Sequence, residues 1–408
     1  MRKRSLTPSE LLRDFLAHPL RIFFLALPVA IIAAGLPWFL TGLGIQPPVT
    51  ALPWHLYLYL DLAAAAAYGG FLLTALVSWT DYTRPLLRTS SFLFACWGIA
   101  LLSAPWHAVS TAFLAAYWLG LLAFAVRLAF RDRRQDSLLY CLLWINALHL
   151  AYAMSADALY LRAMLHIHLI ALMIVQFRVG MVIGNEALSD AMRDRDQHPR
   201  RYPLWLRQAD ETPRFIPNPI AKNLAALSLS ILAAALCLSA DHELHGWLAL
   251  AAAGVLLANL QPWHHLLLLR RRYVRPFYAA LLLPALGYLG YAASLLIPAS
   301  PLAMSASLHL IAIGGYLLMI LNIMHIAGLR HSGQTLRYTL ASRLAFALII
   351  AATLLRGVLS PWSASHWPSA YLSFTYTLPS LCAALAFILY ALRFYGIFRD
   401  YPSTDGEE

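Results

Sequence analysis

Long apolar runs separated by short polar ones dominate the chain. Counting predominantly apolar stretches of roughly 17 to 25 residues, the length a helix needs to cross the hydrocarbon core, gives twelve. They lie near 20 to 43, 56 to 79, 90 to 106, 109 to 130, 138 to 155, 160 to 184, 223 to 240, 246 to 268, 276 to 298, 302 to 329, 338 to 359 and 370 to 392. One sizeable polar stretch, 185 to 222, is rich in Asp, Arg and Pro. It divides the chain into a first six-helix half (1 to 184), a cytoplasmic linker, a second six-helix half (223 to 395) and a cytoplasmic tail (396 to 408). No sequence repeat relates the halves. The pattern predicts an all-α polytopic membrane protein.

Composition agrees, with hydrophobic residues at 61% of 408 positions and charged residues at 12%, about half the charge of a soluble domain. With the N-terminus placed in the cytoplasm, all 30 Lys and Arg fall on the cytoplasmic side except Arg162 and Arg356. That bias is what the positive-inside rule expects, and it puts both termini in the cytoplasm. The net charge of +11 is then topology, with anionic inner-leaflet lipid as its partner, and no nucleic-acid role is implied. The first apolar run is long enough to stay in the membrane and follows a basic arm, unlike a cleavable signal. Cys96, Cys141, Cys237 and Cys382 all fall in predicted spans and supply neither a disulfide framework nor a CxxCH haem attachment.

Against this apolar background the histidines stand out. The segment "ASLHLIAIGGYLLMILNIMHIAGLRHSGQTL" (306 to 336) carries His309, His325 and His331. His309 lies roughly 10 Å below the outer boundary, and His331 is roughly 33 Å further along at 1.5 Å per residue, so one straight helix cannot bring both to one group. Helix six places His166 and His168, and helix five His149, at the same outer depth as His309. His55, Asp61 and His107 sit near that side too. Ionisable residues at membrane depth are rare and mark functional sites by default, and neutral imidazole is the commonest metal ligand and an axial ligand of haem iron. The plainer reading of any single buried His is an interhelical hydrogen bond, and His166 and His168 point to opposite helix faces. Gly314 and Gly315 read as close-packing positions.

Several segments carry a family resemblance. "GGFLLTALVSWT" (69 to 80), preceded by "PWHLYLYLD", resembles the second-helix signature of the NnrS family of bacterial membrane proteins. "RVGMVIGNEAL" (178 to 188) is similar to the segment ending that family's helix six, and "DRRQDSLLYCLLWINAL" to its Arg-Arg-Asn segment before helix five. "LHLIAIGGYLLMILNIMHIAGLRHSGQTL" resembles its most recognisable block, a His, a Gly- and Met-rich helix, then Gly-His-Thr-Gly-Arg. The resemblance implies an inner-membrane protein containing haem b and also copper, associated with nitric oxide metabolism and nitrosative stress in denitrifying bacteria.

By position, His309 matches the first His of the helix-ten block, His331 its last, and His55 the first His of a His-Ala-His-Glu motif opening helix two. Tyr57 and Leu58 replace that motif's second His and Glu, Arg330 and Gln334 replace Gly and Arg, and His325 stands where the family usually has another residue. The expected haem ligands are His309, His168, His149 and His331. His55, His166 and His325 are the candidates for a second metal, and Asp61 and His107 for a proton route from the outer side. Nitric oxide, as ligand or substrate, is small, uncharged and lipid-soluble, so a haem site in the bilayer needs no elaborate channel. A nitric oxide reductase would add electrons, protons and a second metal. Two other functions compete. Twelve helices with a long central loop match a secondary transporter, although "TDYTRPLLRTS" lacks the major-facilitator loop pattern. A haem or copper delivery protein fits the His and Met content.

Overall fold

A computed structural model describes residues 7–80, 82–132, 137–201, 204–207, 214–238, 241–297 and 303–401. Its principal helices are α1 (Pro8–Ala17), α2 (Pro19–Gly42), α3 (Ala51–Trp79), α4 (Leu87–Leu102), α5 (His107–Asp132), α6 (Ser137–Ser155) and α7 (Ala158–Gln197). There follow α8 (Pro219–Cys237), α9 (His242–Trp263), α10 (Val274–Leu296), α11 (Met304–Arg330), α12 (Leu340–His366) and α13 (Pro368–Asp400). The described residues contain no strand. Eleven helices, all but α1 and α4, are long and apolar enough to cross a membrane.

The expected span near 90 to 106 is therefore different in kind. Helix α4 has 16 residues, about 24 Å at 1.5 Å per residue, short of the roughly 30 Å hydrocarbon core. Its last turn closes at Ser103, whose amide donates to the Ile99 carbonyl (2.8 Å), and Pro105 prevents a continuous helix into α5. The opposite deviation occurs in α7, which runs 40 residues and continues past 184 into the stretch expected as linker. Ala187, Leu188, Ala191 and Met192 keep one face buried there. At the base of α10 the Tyr273 hydroxyl donates to Asp190 Oδ2 (3.1 Å), and burial together with that carboxylate pushes the phenol's pKa up.

Three helices form the centre. In α3 and α11, 83% of the most apolar stretch is buried, and in α7 72%, against 33–56% for the other spans. Helices surrounded by protein can hold polar side chains that lipid would reject, and these three carry His55, Asp61, His166, His168, His309 and His325. The bundle closes where α13 packs on α2. There Arg21 donates to Asp14 Oδ2 (2.6 Å) and to the carbonyls of Phe398 (2.9 Å) and Tyr401 (3.0 Å).

Small residues let α10 approach α11. A Cβ at Gly314 would lie 2.7 Å from Leu283 Cβ, and one at Gly315 2.9 Å from Pro284 Cβ. Gly287 is tighter, because its Cβ would meet backbone, Ile311 N and Ser307 O, at 2.9 Å. Overpacking costs about 1–3 kcal/mol, so Gly287→Val is expected to lower the thermal midpoint in detergent by several degrees. Gly254→Val, with nothing within 4 Å of the added Cβ, should leave it unchanged; equal effects would show that the α10–α11 approach is not a constraint.

A histidine and arginine cavity

Helices α2, α3, α7, α11, α12 and α13 line an open cavity of about 370 Å³ whose wall includes His55, His309, Arg356, aromatic rings and the exposed Arg162 and Met304. Its volume falls in the range of roughly 300–1,000 Å³ typical of ligand pockets. The backbone around it is irregular in one consistent way. Four π-helical segments occur among the described residues, 58–62 in α3, 310–317 in α11, 355–359 in α12 and 373–377 in α13. Each supplies residues to this lining. Such wide turns gather at functional sites, where they re-aim side chains.

His309 lies immediately before one π segment and His55 three residues before another. The two rings are neighbours, with centroids 6.3 Å apart and planes inclined by 34°. His309 Nδ1 is 2.6 Å from the Ser305 carbonyl, and His55 Nδ1 3.4 Å from the Ala34 carbonyl. A carbonyl only accepts, so both bonds put the proton on Nδ1 and leave Nε2 with its lone pair. A carbonyl fixing the distal nitrogen is how metal-binding imidazoles are oriented. The His55 ring also stands edge-on to Tyr59 (4.7 Å) and Trp38 (6.1 Å), and Trp38 stacks on Tyr376 (4.9 Å).

Ser305 joins the imidazole to a cation. Its carbonyl accepts from His309, and its hydroxyl accepts from Arg356 Nη2 at 2.8 Å. Arg162 reaches the same cavity from α7. Neither arginine has an acidic partner among the described residues.

The remaining imidazoles of the expected layer do not join this pair. His168 Nε2 is 2.7 Å from the Leu60 carbonyl and Nδ1 3.3 Å from the Tyr68 hydroxyl, so both nitrogens hold helices together. His149 is likewise bonded at both, Nδ1 to Asp61 Oδ2 (2.7 Å) and Nε2 to the Thr111 carbonyl (3.0 Å). Trp118 Nε1 donates to the other Asp61 oxygen at 2.7 Å, which makes Asp61 the fully buried hub of α3, α5 and α6. His166 Nδ1 bonds the Tyr288 hydroxyl. His107 begins α5 with its ring edge-on to Tyr152 (5.1 Å), and it does not line the cavity. His325 is boxed by Tyr338, Phe346, Tyr390 and Phe394. His331 caps the far end of α11. No group of three or more His, Cys, Asp or Glu able to hold a metal occurs among the described residues.

The pairing of His55 with His309 crosses the boundary between the haem and second-metal candidates of the sequence reading. The arginines were visible there only as the two exceptions to the charge bias, and that exception was the signal. The π segments leave no recognisable mark in the sequence.

Fold and cavity together define a multi-pass helical membrane protein with a paired-imidazole pocket. The chain belongs to the NnrS protein family, whose model matches residues 14–400. No curated protein matches it in sequence. Membership is consistent with the nitric-oxide-related membrane protein that the resemblance implies.

Outside the cavity the buried polar residues predict stability effects. Asp61→Ala would strand His149 and the Trp118 indole at a cost of about 3–5 kcal/mol, whereas Asp61→Asn keeps a carbonyl acceptor. Thermal unfolding in detergent should rank wild type above Asp61→Asn and Asp61→Ala lowest. Equal midpoints for all three would assign Asp61 a role other than joining these helices.

Proposed function

We propose that this chain is a haem b protein of the bacterial inner membrane that binds nitric oxide in the His55–His309 cavity, with that end of the bundle toward the periplasm. The observation that carries the reading is the neighbouring pair of imidazoles, both with Nδ1 on a backbone carbonyl and Nε2 available. The two imidazoles line one cavity, with ring centroids 6.3 Å apart. The donor chemistry fits the group, since neutral imidazole is a common axial ligand.

Bound there, haem would be held by His309, tied at 2.6 Å to the Ser305 carbonyl, and by His55, tied at 3.4 Å to the Ala34 carbonyl, and would supply an iron able to take up the gas or pass an electron. The more loosely tied His55 would be the one to yield to a small molecule. The surrounding Trp38, Tyr59 and Tyr376 limit water, while the gas reaches the site through lipid.

A second reading rests on Met304, which lines the same cavity. Two imidazoles and a thioether form a soft donor set suited to cuprous copper, as a copper-binding or delivery protein would need.

Purified protein should show a Soret band that moves when nitric oxide is added to the reduced form. His309→Ala should abolish pigment uptake. His55→Ala should retain pigment and bind the gas faster, because the yielding ligand is gone. Copper without a Soret band would select the second reading, and neither metal nor pigment in a protein expressed with both supplied would overturn both.

A further inference from the structure

Arg162 of α7 and Arg356 of α12 both line one cavity. Arg162 lies near the start of α7, four residues past Ala158. Arg356 lies ten residues before the end of α12 at His366, inside a π segment. Its polar partner is the Ser305 hydroxyl at 2.8 Å, a neutral group that cannot balance the charge, and Arg162 has no carboxylate either. Two guanidiniums without anions, in the cavity of two imidazoles with open Nε2 atoms, describe a ligand that brings a metal and two negative groups together.

We propose that Arg162 and Arg356 receive the two carboxylates of the haem, each by charge-assisted hydrogen bonds, and thereby set the orientation of the ring between His55 and His309. The proposal rests on the haem reading above and adds the subsite that recognises the periphery of the group. Guanidinium suits the task because its planar fork matches a carboxylate. Ser305 couples the two functions, since its hydroxyl positions the Arg356 fork while its carbonyl fixes the His309 tautomer. Arg162 and Arg356 are thus positioning residues for the group.

The test is a titration of full-length protein, expressed without haem in detergent, with haem and with haem dimethyl ester, followed by growth of the Soret band. The ester keeps the iron and ring but has no anionic groups, and His309→Ala sets the baseline for nonspecific uptake. Wild type should bind the free diacid at least about tenfold more tightly than the ester, the weight of a charge-assisted bond. Arg162→Gln and Arg356→Gln should each lose part of that preference, the double variant all of it, and Arg356→Lys should retain some. Variants that bind the ester as wild type does are folded, so their loss of preference reports the missing charge. Equal affinity of wild type for both pigments would overturn the carboxylate assignment while leaving the haem reading intact. Preference unchanged in the double variant would overturn it also, placing the anion recognition elsewhere. Uptake of neither pigment would overturn the haem reading, and this inference with it.

Discussion

In lipid a backbone carbonyl has no solvent to turn to, so each one that loses its helical partner must find another inside the protein. The π segment of α3 meets that demand with side chains from three other helices. The Tyr316 hydroxyl of α11 donates to the Tyr59 carbonyl (2.8 Å), His168 of α7 to Leu60 (2.7 Å), and the Trp97 indole of α4 to Leu62 (2.8 Å). The wide turn is thus held open by the neighbours that pack on it. His55 sits just before that turn and His309 just before the one in α11.

How much of this was legible follows from which forces act along the chain and which act across it. Apolar run length and charge bias are properties of the linear sequence, so the spans were readable, with α4 the exception because a 16-residue helix falls under the crossing length. Depth was an expectation of the same kind: counting residues put His149, His166, His168 and His309 in a common layer. Rotation about each helix axis was not readable, and it decides everything at that layer. His168 turns toward the Leu60 carbonyl and His149 toward Asp61, whereas His309 turns toward His55. Those four imidazoles therefore comprise three that hold helices together, His149, His166 and His168, and one half of a site, His309. The other half, His55, lies on α3, two and three residues before Tyr57 and Leu58.

The buried polar groups divide accordingly. Asp61, His149 and Trp118 form a closed set in which the carboxylate and both imidazole nitrogens are occupied, and a closed set stabilises without inviting a ligand. The cavity is the reverse, with imidazole nitrogens and guanidiniums that have no acidic partner among the described residues. An arrangement of that kind costs stability in the empty protein and returns it on binding, since whatever occupies the native state alone shifts the folding equilibrium toward it.

The asymmetry of the two imidazoles also has a structural origin. His309 bonds the carbonyl four residues earlier in its own helix, so its ring moves only if α11 moves, and α11 is clamped by Gly314, Gly315 and the facing Gly287. His55 bonds a carbonyl of a different helix, Ala34 of α2, at the longer distance of 3.4 Å. A contact between helices stretches when they shift, whereas a contact within one helix does not. One ring is therefore rigid by construction and the other compliant. This combination is what a site needs if it must hold a large group firmly on one side and admit a two-atom molecule on the other.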